Sequence, residues 1–259
     1  MSLAQASFAL VCEGETDRRV ATLLADRVLL FAIDWIDREL LDQVREWRGL
    51  RRVDSFLPWA RVREASAEQR VRPRAFGGFP SGQARPDAYA ARLCLLTLAA
   101  AEDLPEAVIL LRDSDGDRDR GRGLEQARAD YEWPFAVAIG LAHPKIEAWL
   151  LVSFRPGSDG EREILGQLRG ELGFDPTTHA ERLDAREHGA KTDAKRVLSL
   201  LTGGDVGRAF EGIEANTLES LGPNPEIGLA DYLDEVRTHL VPVLTGAGRR
   251  TPAVGAHEP

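Results

Sequence analysis

The sequence is poor in cysteine and has no long apolar runs, and both features exclude classes of protein. Its two cysteines, Cys12 and Cys94, stand among apolar residues at a spacing that is not of a metal-binding type. We therefore expect two buried free thiols in a protein of the reducing cytoplasm. No apolar run approaches the roughly 20 residues of a membrane span. No signal-peptide segment is expected, since Arg18 and Arg19 directly follow the first apolar stretch.

Lysine is also scarce. The 33 basic residues include only Lys145, Lys191 and Lys195, so arginine stands almost everywhere else. A lysine kept against such a bias can be needed as a compact point charge, which the planar guanidinium of arginine does not replace. The three lysines are therefore examined below as candidate functional residues.

The net charge of −9 is unlike the basic footprint of most nucleic-acid-binding proteins. One segment differs, because residues 38–74 contain ten arginines against six acidic residues. This segment is either a solvated helical face or a patch that contacts phosphates. In the second interpretation the candidate contacts with nucleic acid are Arg48, Arg51, Arg52, Arg72 and Arg74.

Strand-type and helix-type segments alternate between residues 7 and 154, which predicts an α/β fold with a parallel sheet flanked by helices. Buried strands are predicted at 7–12, 71–76, 107–111 and 135–142. One amphipathic helix is expected over 34–52, in an insertion at about 34–84. A metal-binding domain is thus expected over 1–154, a helical extension packed on it over 155–245, and a disordered tail over 246–259.

Acidic residues follow two of the predicted strands at once. Glu13 ends the first apolar run, in "VCEGETD", and Asp113 and Asp115 end another, in "ILLRDSDGD". Ligands of a parallel sheet bind beyond the carboxyl ends of its strands, so these carboxylates converge if the two strands are neighbours. Strand alternation places Asp113 and Asp115 on one side while the chain stays extended. Oxygen ligands without histidine or cysteine favour Mg²⁺ or Mn²⁺ over Zn²⁺.

Simpler interpretations compete with a metal site. Thr16, Asp17 or Asp119 can be a helix cap or turn residue. "DSDGDRDRGRGLE" resembles an EF-hand loop, but its register fails, since Arg118 stands where the turn glycine is required. "GAKTDAKR" lacks the Gly-Lys-Thr core of a phosphate-binding loop.

The pair of motifs "VCEGETD" and "ILLRDSDGD" resembles the TOPRIM domain of topoisomerases, primases and OLD-family nucleases. "HPKIEAWLL" at 143–151 is similar to the segment after the last TOPRIM strand in small stand-alone TOPRIM proteins of phage-defence loci. The resemblance implies that Glu13 is a metal ligand and catalytic carboxylate and that Asp113 and Asp115 are metal ligands. Asp17 and Asp117 would be secondary ligands.

Three further residues are candidates for the same site. Glu147 could add a ligand from the start of a helix, or be an ordinary surface residue. Lys191 and Lys195 share a helix face, as a solvated pair or as the lysine that OLD-type nucleases set against phosphate charge during cleavage.

The resulting hypothesis is a TOPRIM-type nuclease, dependent on Mg²⁺ or Mn²⁺, that cleaves DNA or RNA in antiviral defence. The chain has no Walker motif, so an ATPase would have to be a separate partner. One alternative is a regulatory or toxin-like module that needs a partner, and another is a small-phosphate hydrolase or nucleotidyl transferase. No membrane partner is expected, and homo-oligomer formation stays open.

Overall fold

The computed structural model describes residues 5–71, 78–221 and 224–246. Its centre is a parallel sheet of five strands: β1 (Ala6–Cys12), β2 (Arg45–Arg48), β3 (Leu57–Pro58), β4 (Ala107–Asp113) and β5 (Ala136–Ala142). The order is β2-β1-β4-β5, and β3 pairs with the end of β1 that β2 leaves open. The α/β class with a parallel sheet, predicted from the alternating pattern, is confirmed.

Helices connect and cover these strands. In the first part of the chain they are α1 (Glu15–Ala32), α2 (Arg38–Val44), α3 (Val62–Glu68), α4 (Ala88–Ala99), α5 (Asp119–Ala129) and α6 (Glu147–Ser153). The C-terminal helices are α7 (Asp159–Leu172), α8 (Ala194–Thr202), α9 (Val206–Ala215), α10 (Leu218–Leu221), α11 (Leu229–His239) and α12 (Val241–Thr245). Within the described residues, no helix has both the length and the apolar character needed to cross a membrane.

Strands β1, β4 and β5 are buried over most of their length on both faces, which explains why they read as nearly continuous apolar runs. Side chains of β1 alternate between two cores: Phe8 and Leu10 face one, and Ala9 and Val11 face the other. The first core is formed with α1 and the C-terminal helices, and the second with α3, α4 and α5. Tyr232 of α11 lies in the first core and donates a hydrogen bond to the Ala21 carbonyl of α1 at 2.9 Å. The C-terminal helices therefore share the sheet's own core.

The predicted helix over 34–52 is wrong in its second half, where the chain turns from α2 directly into β2. Residues 45–48 pair in parallel with residues 6–9 of β1. The Trp47 ring packs edge-on against Phe8 at 5.4 Å between centroids, and its Nε1 donates to Asp26 at 2.9 Å. Pairing and packing with β1 override the local helical spacing. The strand predicted at 71–76 lies outside the described residues except for Val71. Arg72, Arg74 and the tail from 247 also lie outside them.

The outer edge of β5 is closed by two charged side chains. Glu235 of α11 accepts a hydrogen bond from the Ile139 N–H at 3.0 Å, and Arg128 of α5 donates to the Val137 carbonyl at 3.2 Å. The two side chains also form an ion pair with each other at 2.6 Å. Backbone groups that would otherwise be free at a sheet edge are thereby satisfied.

Candidate metal-binding and catalytic site

Glu13 and Asp113 stand at the carboxyl ends of neighbouring strands. β1 and β4 pair in parallel, with Val11 opposite Leu110, so the two strands end on the same side of the sheet. Asp113 is the last residue of β4, and Glu13 comes directly after the last residue of β1. The adjacency on which the predicted convergence depended is therefore present.

Asp17 is held beside this edge by the start of α1. Its buried carboxylate accepts hydrogen bonds from the N–H groups of Glu13 and Gly14, both at 3.0 Å. The helix-cap interpretation of Asp17 is confirmed, whereas Thr16 makes no such cap. Burial raises the pKa of Asp17 above its ordinary value, although these hydrogen bonds and the charge of Lys195 oppose the rise. The Asp17 carboxylate thus both caps α1 and belongs to the acidic cluster.

Asp113 lies at the centre of the cluster. Its Oδ1 accepts a hydrogen bond at 2.9 Å from the N–H of Ile146, just before α6. Burial and the negative charges of Asp17, Glu147 and Glu13 raise the pKa of Asp113 from 3.8 to about 8. Carboxylates that repel one another in this way accept either a proton or a cation between them.

Glu147 enters the cluster from the first turn of α6. It is buried, and its Oε2 has no hydrogen-bond partner among the described residues. Its Oε1 lies 3.7 Å from the ammonium nitrogen of Lys195 at the start of α8. Burial raises the pKa of Glu147 although Lys195 opposes the rise, and the same pair raises the pKa of Lys195. Glu147 is therefore a buried member of the site, not an ordinary surface residue.

The two candidate lysines, Lys191 and Lys195, differ in their position relative to the cluster. Lys195 is positioned by Asp193, a buried carboxylate that accepts the Lys195 N–H at 3.1 Å and caps α8. Lys191 is exposed and forms no ion pair within the described residues. The sequence put both on one helix face, but Lys191 precedes α8 and stays outside the cluster.

Asp115 and Asp117 occupy the turn after β4. Asp115 has a φ of +47°, in the left-handed region, so the strand alternation expected to align it with Asp113 ends before it. Its carboxylate lies 2.8 Å from the guanidinium of Arg120. Asp117 accepts the Asp119 N–H at 3.0 Å in the turn just before α5. Asp119 itself is the first residue of that helix.

Two arginines that the sequence did not single out contact the cluster. Arg112 lies 3.4 Å from the Glu13 carboxylate, and Arg120 pairs with Asp115 and donates to the Asp113 carbonyl at 3.1 Å. Asp87 joins them, at 3.1 Å from Arg112 and 3.6 Å from Arg120. A basic residue that interrupts an apolar strand just before Asp113 was the signal that could have indicated Arg112.

Lys145 is the other basic residue that the sequence left unassigned. Its ammonium lies 3.9 Å from the Asp193 carboxylate. Burial raises the pKa of Asp193, but hydrogen bonds from the N–H groups of Gly189 and Lys195, and the charge of Lys145, outweigh it and leave the pKa below its ordinary value. Lys145 thus stabilises the carboxylate that positions Lys195.

The arginines predicted to contact nucleic acid lie elsewhere. Arg48 is fully buried, and its guanidinium donates to the Asp103 carboxylate and carbonyl, both at 2.6 Å. Its predicted contact is wrong, because a side chain without exposed surface cannot reach a phosphate. Arg51 and Arg52 are exposed, and Arg52 pairs with Asp103 at 2.6 Å. Asp103 precedes β4, so this pair lies toward the amino end of the sheet, away from the cluster.

The donor set fits a hard divalent cation. Five acidic residues form the cluster and offer carboxylate oxygens, the donors that Mg²⁺ and Mn²⁺ prefer. They are Glu13, Asp17, Asp113, Asp115 and Glu147. One of these oxygens, Glu147 Oε2, is buried without a partner. As the side chains stand, no three acidic, histidine or cysteine residues of the described chain are grouped closely enough to hold a metal ion. Glu13 and Asp115 pair instead with Arg112 and Arg120.

The fold and the site together define an α/β protein with a carboxylate cluster at the carboxyl edge of its parallel sheet. Comparisons of the chain with protein-family models, curated proteins and solved structures gave no match. The function is therefore argued from the chemistry of the site.

Proposed function

We propose that the protein is a divalent-metal-dependent phosphodiesterase that cleaves nucleic acid, with the TOPRIM-type arrangement that its two motifs resemble. One observation carries the proposal. Carboxylates from three separate stretches of the chain lie near the ends of β1 and β4, where the charges of Asp17, Glu147 and Glu13 act on Asp113, and the ammonium of Lys195 lies beside Glu147. An acidic cluster with an adjacent ammonium suits a reaction in which negative charge builds on a phosphate.

Glu13, Asp113 and Asp115 would hold Mg²⁺ or Mn²⁺, with Asp17, Asp117 and Glu147 in supporting positions. When bound, the cations would activate water and stabilise the leaving oxygen. The chain's own contribution is positional: the Glu13 and Gly14 N–H groups fix Asp17, and the Ile146 N–H fixes Asp113. The carboxylates are thereby ordered before a substrate arrives.

Basic side chains at the site supply the contacts to phosphate. Lys195 is half exposed beside the buried Glu147, so its ammonium can face both the cluster and solvent. Arg112 and Arg120 are partly exposed and can exchange a carboxylate partner for a phosphate oxygen. These contacts make the net charge of −9 compatible with a nucleic-acid substrate. The two buried free cysteines fit the proposed location in the cytoplasm.

The test is cleavage of supercoiled plasmid, single-stranded DNA and total tRNA with Mn²⁺ or Mg²⁺. Wild type is compared with Asp113→Asn/Asp115→Asn and with a control that removes the same charge from the surface, Asp159→Asn/Asp234→Asn. We expect metal-dependent cutting by wild type and control and a loss of at least about 100-fold in the site variant. Equal cutting by all three proteins would contradict the proposal.

A second candidate is a partner-activated effector working with a separate ATPase. It is favoured by the ion pairs of Glu13 with Arg112 and of Asp115 with Arg120, which occupy two of the expected ligands in the isolated chain. A partner that attracts the two arginines would release the carboxylates. Metal-dependent stabilisation of wild type without any cutting would support this candidate over the first.

A further inference from the structure

A small pocket opens directly beside the carboxylate cluster. It has a volume of about 160 Å³ and lies between α6, α8 and α9. Glu147 and Lys195 line one side, so the pocket and the proposed phosphate site share two residues. Whatever occupies the pocket is therefore close to the reacting phosphate.

The rest of the lining has an apolar floor and a polar rim. Leu150, Leu198 and Phe210 form the floor, and all three are buried. Ser199 and Thr202 are polar lining residues, and the Thr202 hydroxyl donates a hydrogen bond to the Leu198 carbonyl at 3.0 Å. A pocket lined by apolar side chains together with polar ones suits a ring that is apolar on its faces and polar at its edges, as a nucleobase is.

The size of the pocket limits the occupant. Pockets for drug-sized ligands measure roughly 300–1,000 Å³, so 160 Å³ admits a single ring system and excludes a base pair. A base inside a duplex is stacked and paired, and it reaches such a pocket only if it is unpaired or flipped out. A pocket of this size therefore fits an unpaired base and not a paired one.

We infer that this pocket receives one unpaired nucleobase of the strand whose phosphate lies at Lys195, so that the substrate is single-stranded DNA or RNA. The inference rests on the proposed function and narrows its substrate class. Glu147 and Lys195 line both the pocket and the acidic cluster, so a base held in the pocket would belong to the nucleotide whose phosphate lies at Lys195.

The experiment measures binding by fluorescence anisotropy in Ca²⁺, with a labelled single-stranded oligonucleotide, its duplex, and the same strand made abasic throughout. Ser199→Trp fills the rim, and Val206→Glu adds a negative charge at an exposed lining position. Leu200→Trp is the matched control, because Leu200 is exposed on the same helix but does not line the pocket. Thermal unfolding confirms that each variant is folded.

We expect the single strand to bind at least about 10-fold more tightly than the duplex or the abasic strand. Ser199→Trp and Val206→Glu should each weaken that binding by a similar factor, and Leu200→Trp should not. Equal binding of single strand and duplex, or unchanged binding by both pocket variants, would overturn the inference about the pocket. The proposal of nuclease activity would not be affected. Wild type that neither binds nor cuts any nucleic acid would overturn both.

Discussion

Lys195 and Glu147 connect the helical C-terminal part of the chain to the carboxyl end of the sheet, with 3.7 Å between the Lys195 Nζ and the Glu147 Oε1. Glu147 begins α6, shortly after β5, whereas Lys195 lies on α8, much later in the chain. The site is therefore complete only when the C-terminal helices are packed on the sheet. Packing of α8 brings the charge of Lys195 to the site, whereas the ends of β1 and β4 bring Glu13 and Asp113.

Lys195 and Lys191 give a matched pair for mutation. Lys195→Met should lower kcat by about 100-fold or more, because it removes the charge that opposes negative charge on the phosphate. Lys191→Met should leave kcat within about 2-fold, since its side chain lies outside the cluster. Single-turnover cleavage measures both. A larger loss of kcat in Lys191→Met than in Lys195→Met would show that Lys191, not Lys195, opposes the charge on the phosphate.

Stability of the metal-free protein should fall as pH rises. The pKa of Asp113 goes from 3.8 to about 8 on folding, so its contribution to stability is full below pH 3.8 and is lost as pH rises through about 8. Asp113→Asn should flatten this dependence and raise the free energy of unfolding at pH 8 by at least about 1.4 kcal/mol, the equivalent of one pKa unit. Urea unfolding at pH 5 and pH 8 with chelator measures it.

Asp159→Asn, which removes a fully exposed carboxylate, is the control for that experiment. Mg²⁺ at 100 times its dissociation constant should restore about 2.7 kcal/mol to the wild type at pH 8. A pH dependence that is the same in wild type and Asp113→Asn would show that the carboxylates do not share a charged environment.

Arg112 and Arg120 should act on substrate binding. Replacing either by glutamine should raise KM by about 10-fold and reduce the salt dependence of binding by roughly one phosphate contact. Arg51→Gln/Arg52→Gln, toward the other end of the sheet, should change KM by less than 2-fold. Cutting that instead increases in Arg112→Gln/Arg120→Gln would support the partner-activated effector, in which these arginines hold the ligands back.

Arg48 should matter for stability alone. Arg48→Met leaves the Asp103 and Leu50 carbonyls without their donor and should cost about 2 kcal/mol of unfolding free energy. Arg51→Met, at an exposed position, should cost less than about 0.5 kcal/mol. Denaturant unfolding compares them. Weaker nucleic-acid binding by a fully folded Arg48→Met protein would contradict the structural role.

The strand ends and their acidic residues could be predicted from the sequence because both signals are local. An apolar run marks the strand, and Glu13 or Asp113 follows it at once. Their convergence needed only that β1 and β4 be neighbours. Glu147 and Lys195 were found through spacing and resemblance, and their closeness to each other was not predictable from either.

Other features depended on contacts that no local pattern carries. Strand β2 has four residues, too few for alternation to be distinguished from helical spacing, and its pairing with β1 decides its structure. Arg120 stands among many arginines with the same local appearance, and no local pattern showed which acidic residues Arg112 would pair with. Their ion pairs with Asp115, Glu13 and Asp87 identify the two arginines that lie at the cluster.

The ion pair between Arg128 and Glu235 has a consequence for how molecules of this protein meet. A bare outer strand is a template on which a strand of another molecule can form, and such additions lead to aggregates. Because both charges bind the backbone of β5, an incoming strand would have to displace a salt bridge before its first hydrogen bond could form. The sheet is thus protected from growth at the β5 edge.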